Sequence, residues 1–172
     1  GPDEDFEKIH WMLLAAFAAA ERSVRIVTPY FVPTPALIAG MNMAALRGVQ
    51  ITIILPSKVD MPFMRWVADA YLEQFLEHGI RVFRRHPPFV HTKLLIVDER
   101  WIWLGSANFD PRSFRLNFEF NIEAYDVALL KPNVVAGVPA EQVVVDIQRP
   151  HQLATPEHAH CAEAAALGRA AR

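Results

Sequence analysis

His91-Thr92-Lys93-Leu94-Leu95-Ile96-Val97-Asp98, followed by Trp101-Ile102-Trp103-Leu104-Gly105-Ser106-Ala107-Asn108, reads as strand, turn and strand. Leu94 to Val97 and Trp101 to Leu104 are apolar runs with β-branched and aromatic residues, which favour strands. Side chains alternate faces along a strand, so His91 and Lys93 point the same way, with their backbones about 7 Å apart. Ser106 and Asn108 also share parity. A basic or nucleophilic ring and a fixed cation on one face suit a phosphate group. Asp98 has the opposite parity to His91, so on a regular strand it cannot orient that ring.

Outward from this pair, strands alternate with helices. Phe6, Ile9, Leu13, Phe17 and Ala20 fall at helical spacing and predict a helix over 5–22, capped by Asp3 or Asp5. Val24 to Thr28 reads as a short buried strand, left through the stiff loop Pro29-Tyr30-Phe31-Val32-Pro33. Thr34 and Pro35 open a second helix over 34–47, which Gly48 ends. Gln50 to Leu55 is a near-continuous apolar strand, and Asp60 caps a third helix over 61–78, stopped by Gly79. Ile80 to Phe83 is a third strand. Such alternation implies βαβ crossovers and an α/β fold with a largely parallel sheet.

Beyond Asn108, residues 116–126 alternate cleanly and read as the last strand. Asn117, Glu119, Asn121 and Glu123 lie on one face and Phe118, Phe120 and Ile122 on the other; Asn121 and Glu123 are expected to face solvent. All eighteen aromatics precede Asp126, whereas residues 127–172 hold eleven alanines and four prolines. This tail is expected to be poorly ordered. His158, His160 and Cys161 within it make a poor metal site.

Composition narrows the partners. Net charge is −2, which argues against bulk nucleic-acid binding. Residues 81–115, however, carry seven Arg or Lys against three acids. A basic island around the motif suits an anionic substrate. No run of 18 apolar residues is present, so no membrane-spanning helix is expected. One cysteine, Cys161, precludes an internal disulfide.

The spacing His-x-Lys-x4-Asp followed by Gly-Ser-x-Asn resembles the phospholipase D superfamily. Phe109-Asp110-Pro111-Arg112-Ser113-Phe114, Asn117-Phe118-Glu119, Thr28-Pro29-Tyr30-Phe31 and Arg47-Gly48-Val49 extend the resemblance to the C-terminal repeat of bacterial cardiolipin synthases. It covers about residues 1–126. It implies a single phospholipase D-like repeat: an α/β/α sandwich with a mixed, mostly parallel sheet and helices on both faces. It also implies a phosphatidyltransferase that joins two phosphatidylglycerols into cardiolipin and glycerol through a phosphohistidine.

The catalytic set so implied is His91, Lys93, Asp98 and Glu119, with His91 the nucleophile, Glu119 its partner and Asp98 structural. Lys93, Ser106 and Asn108 would hold the phosphate. Tyr30, Phe31 and Arg112 are candidates for the pocket lining, Arg112 also for an ion pair. No cofactor or metal is implied. The chemistry needs a second histidine, which a second repeat upstream or a second copy of the chain would supply. The implied setting is the cytoplasmic membrane surface, with this stretch peripheral. The alternatives are a homodimeric phosphodiesterase or endonuclease, and an inactive fragment.

Overall fold

The computed structural model describes residues 7–59, 62–89, 91–115, 117–125 and 143–146. Its elements run α1 (Lys8–Ala19), β1 (Ser23–Val27), α2 (Pro35–Leu46), β2 (Gln50–Pro56), α3 (Pro62–Glu77), β3 (Arg81–Arg85), β4 (Lys93–Val97), β5 (Trp101–Gly105), α4 (Pro111–Arg115), β6 (Asn121–Ala124) and β7 (Val143–Asp146). The strands form one sheet in the order β6-β5-β4-β1-β2-β3-β7.

Local chemistry places the helices near the expected bounds. The Thr34 hydroxyl accepts from the Leu37 amide, and Pro35 follows as the first helical residue. Gly48 and Gly79 take positive φ (93° and 75°) just beyond α2 and α3, a conformation that glycine adopts without strain. The expected caps Asp3, Asp5 and Asp60 lie outside the described residues.

The sheet is mixed, but parallel pairing is confined to β1–β2 and β2–β3. The β1–β4, β3–β7, β4–β5 and β5–β6 ladders are antiparallel. The expected parallel majority fails because no helical crossover separates β3, β4 and β5. Layering differs too. Leu13 and Phe17 of α1, Leu37 and Met41 of α2, and Leu72 and Phe75 of α3 join one core with Val24, Ile26, Ile51, Ile53, Val82 and Leu95. Among the described residues, the three long helices therefore share one face. The strand sequence β1, β2, β3 advances across the sheet in one direction, and right-handed crossovers then lay α2 and α3 on the same side. Leu94, Ile96 and Ile102 form a smaller cluster on the other face.

The last predicted strand is shorter than the alternation implied. It begins at Asn121, and residues 117–120 approach it as irregular chain. A turn in which the Asn117 amide donates to the Arg112 carbonyl (3.3 Å) follows α4 and delays the strand. Asn121 is half-buried, and its Oδ1 accepts from the Ala107 amide (3.3 Å). Glu123 is exposed and accepts from the Trp101 indole (3.1 Å). The tail supplies the edge strand β7, which the sequence pattern did not suggest; otherwise residues 126–172, including His158, His160 and Cys161, lie outside the described residues.

Candidate active site

Lys93 opens β4 at the end of the sheet where β1, β2 and β3 finish, because β4 runs antiparallel to β1 with Val27 opposite Leu94. Carboxyl ends of strands are the usual place for a site in an α/β sheet. Lys93 is 3% exposed, while His91, just before the strand, is exposed. The lysine ammonium lies 2.7 Å from His91 Nδ1 and 3.1 Å from Nε2, and donates to the His91 carbonyl at 2.9 Å. Burial pushes the Lys93 ammonium below the usual lysine range, and the charges of Glu119 and Asp110 pull it partly back.

That shift carries a sign for stability. The folded chain disfavours the charged lysine relative to the unfolded chain, so this cost is present at low pH. It is relieved as pH rises through the lowered folded value towards the ordinary 10.5. Wild type should therefore gain stability relative to Lys93→Met over that alkaline window, measured by urea denaturation at stepped pH. A difference that stays flat or widens against wild type contradicts the burial argument.

A second cluster hangs on the β5–β6 pair. The Ser106 hydroxyl donates to Glu119 Oε2 and accepts from the Phe120 amide (2.9 Å), while the Ser106 amide donates to the Phe120 carbonyl (3.0 Å). Asn117 Nδ2 donates to the other oxygen, Glu119 Oε1 (3.1 Å). Glu119 is thus held by Ser106 and Asn117. The expected hydrogen bond between Glu119 and His91 is not made among the described residues; Glu119 acts on the pair through the charge of Lys93. Asn108 has its Oδ1 buried without a hydrogen-bond partner among the described residues.

Asp98 sits at the far end of β4, away from His91. Its Oδ1 accepts from the Arg22 and Ser23 amides (2.7 and 2.8 Å) and its Oδ2 from the Glu21 amide (2.8 Å). It is a clamp on the entry to β1 and not part of the chemical site, because antiparallel pairing brings the end of β4 against the start of β1. Desolvation raises the Asp98 carboxyl, but the amides of Ser23, Glu21 and Arg22 and the Arg22 charge outweigh it and hold it below the ordinary 3.8. Asp98→Ala should cost about 3 kcal/mol at neutral pH, since charged hydrogen bonds are lost together. Because the folded value is depressed, this contribution is present above 3.8 and is lost as pH falls through the folded value. Denaturant melts of both proteins at neutral and acid pH check this; equal stability at neutral pH contradicts it.

The remaining sequence candidates separate. Tyr30 stands edge-on to the His91 ring, with centroids 6.2 Å apart. Phe31 does not line the site: it is 1% exposed and packs on Phe75 and Phe109 in the core. The loop after β1 turns Phe31 inward to bridge Phe109. Arg112 is exposed and forms no ion pair among the described residues. Phe89, which the sequence reading passed over, lies 5.9 Å from the His91 ring. The only sign of it was its place between Pro87-Pro88 and the motif. Phe89 also lines a cavity of about 190 Å³ with Val27, Ile54, Lys58, Arg85 and Pro88. Together an exposed imidazole, a buried ammonium and an apolar cavity can present a nucleophile and a fixed charge to an amphiphilic anion.

The family model described as "Cardiolipin synthase, PLD-like domain" matches residues 13–133. A cardiolipin synthase of Staphylococcus aureus is 39% identical over 131 residues, 76% of this chain and 26% of that protein. The major cardiolipin synthase ClsA of Bacillus subtilis is 37% identical over 131 residues, 76% of this chain and 27% of that protein. The phospholipase D family member Nuc of Salmonella typhimurium superposes with a TM-score of 0.69 at 21% identity, covering 81% of this chain and 91% of that one. Phosphatidylserine synthase of Haemophilus influenzae gives 0.61 at 18% identity, over 94% of this chain and 43% of that one. These two share the fold. The chain belongs to the phospholipase D-like domain family of the cardiolipin synthases. It spans about a quarter of the length of the curated relatives it matches.

Proposed function

We propose that this chain is one catalytic repeat of a phosphatidyltransferase that makes cardiolipin and glycerol from two phosphatidylglycerols. The observation that carries the reading is the buried Lys93 ammonium set against the exposed His91 ring. A His91 ring nitrogen attacks the phosphorus of the first phosphatidylglycerol. The nitrogen–phosphorus bond forms, the phosphorus–oxygen bond to the headgroup glycerol breaks, and that glycerol leaves with a proton from a second histidine. A hydroxyl of the second phosphatidylglycerol, deprotonated by the same histidine, then attacks the phosphohistidine and frees His91. Lys93 and Asn108 stabilise the charge on the non-bridging oxygens, while Ser106 fixes Glu119 beside them. The substrate is an anionic phospholipid at a membrane surface, and no cofactor or metal takes part.

The second histidine comes from another phospholipase D-like repeat. One His-x-Lys motif in this sequence also fits a symmetric pair of copies. The experiment offers phosphatidylglycerol to the chain alone and to the chain joined to an N-terminal cardiolipin synthase repeat, and follows cardiolipin and glycerol. Product only from the joined form supports the two-repeat enzyme. Product from the chain alone, with a dimer mass in solution, favours the pair. No product from either overturns the transferase reading.

A further inference from the structure

The outer face of α3 carries a pattern that its packing does not require. Ala68, Leu72 and Phe75 turn into the core, leaving Phe63 69% and Trp66 79% exposed one turn apart at the other face. Both sit at the N-terminal end of the helix. The charges are graded along the same segment: residues 57–66 hold Lys58 and Arg65 against Asp60, whereas residues 67–78 hold Asp69, Glu73 and Glu77 and no Lys or Arg. The first turn of α3 has no acid and the last turn no base, the reverse of what the helix dipole favours. Arg65 lies 3.7 Å from Asp69 and donates to the Ser57 carbonyl (3.3 Å), yet like Lys58 it is exposed. Two large aromatics flanked by these two exposed cations complement an anionic lipid surface, where rings lie at the headgroup level and bases meet phosphates.

This end of α3 adjoins the site. Lys58, just before the helix, lines the same cavity as Phe89, and Phe89 touches the His91 ring. We propose that the N-terminal end of α3 is a lipid-docking edge. Phe63 and Trp66 seat in the headgroup region of an anionic bilayer, Lys58 and Arg65 meet its phosphates, and a lipid passes from there along the cavity to His91. The proposal rests on the transferase reading for its substrate, but the docking itself needs no turnover.

The test is sedimentation of the full chain with vesicles of phosphatidylglycerol and phosphatidylcholine, and with phosphatidylcholine alone. Binding is expected to the anionic vesicles, and brominated acyl chains should quench Trp66. Phe63→Ser with Trp66→Ser should weaken binding at least about tenfold, since each ring contributes on that scale when buried. Trp11→Ser, at an exposed tryptophan of α1, should leave binding unchanged. Circular dichroism of each variant separates lost docking from lost fold. Absent vesicle binding, equal affinity for neutral vesicles, or a double variant that binds like wild type overturns the proposal. So does a double variant whose main change is loss of self-association. Trp66-dependent binding with no cardiolipin formed by either the chain alone or the chain joined to an N-terminal repeat would uphold this edge and sink the transferase reading alone.

Discussion

Gly105→Ala is expected to cost about 3 kcal/mol and to abolish phosphatidyl transfer, although the glycine touches no substrate. Gly105 ends β5 directly opposite Asn121 of β6. A Cβ there would overlap Asn121 Oδ1 and the Phe120 carbonyl and lie 2.7 Å from Asn121 Cα. Two of these atoms are backbone, so β6 must move as a unit. That motion breaks the Ser106–Phe120 bonds and shifts Glu119, whose carboxylate depends on Ser106. The check is a denaturant melt paired with the reconstituted transfer assay. An Ala variant as stable as wild type would show that β6 yields freely and that Glu119 is not positioned by this ladder.

His91→Asn is expected to leave the fold intact and to lower transfer by about 10⁴-fold or more, the scale seen when a covalent nucleophile is removed. The ring is exposed and lies outside β4, so few packing contacts go with it. Asparagine can still accept from Lys93, which keeps that buried ammonium partnered. The discriminating readout is trapping of labelled lipid phosphate on the protein: acid-labile label on wild type and none on the variant. A variant that still carries label, or that turns over within tenfold of wild type, would place the nucleophile elsewhere.

Much of this arrangement was legible in the sequence because it rests on local chemistry. The β4–β5 hairpin followed from two apolar runs about a short turn, and α2 from Thr34-Pro35 and Gly48. The parity of His91 and Lys93 marked the lysine as a fixed cation beside the ring, whereas its burial shows only in the structure. Features set by distant register were not legible. The parity of residues 117–123 predicted one strand, but the turn after α4 and the clamp on Ser106 hold residues 117–120 out of regular pairing. The aromatic character of Tyr30 and Phe31 is alike, yet one stands beside His91 and the other in the core. Only the loop path decides between them. The one-sided layering was hidden for the same kind of reason: strand order, not strand content, fixes the face on which a crossover helix lands.

The Asp98 clamp has a further consequence, in the order of folding. It ties residue 98 to residues 21–23, across 75 to 77 positions of chain, whereas β1 and β2 each pair with the next strand along. Long loops close at greater entropic cost, so the β1–α2–β2–α3–β3 unit forms first and β4 docks on β1 late. Removing the Asp98 carboxylate should then quicken unfolding far more than it slows folding. The strand that delivers Lys93 to the site therefore joins only after β1, β2 and β3 have paired, and the pocket becomes competent only then.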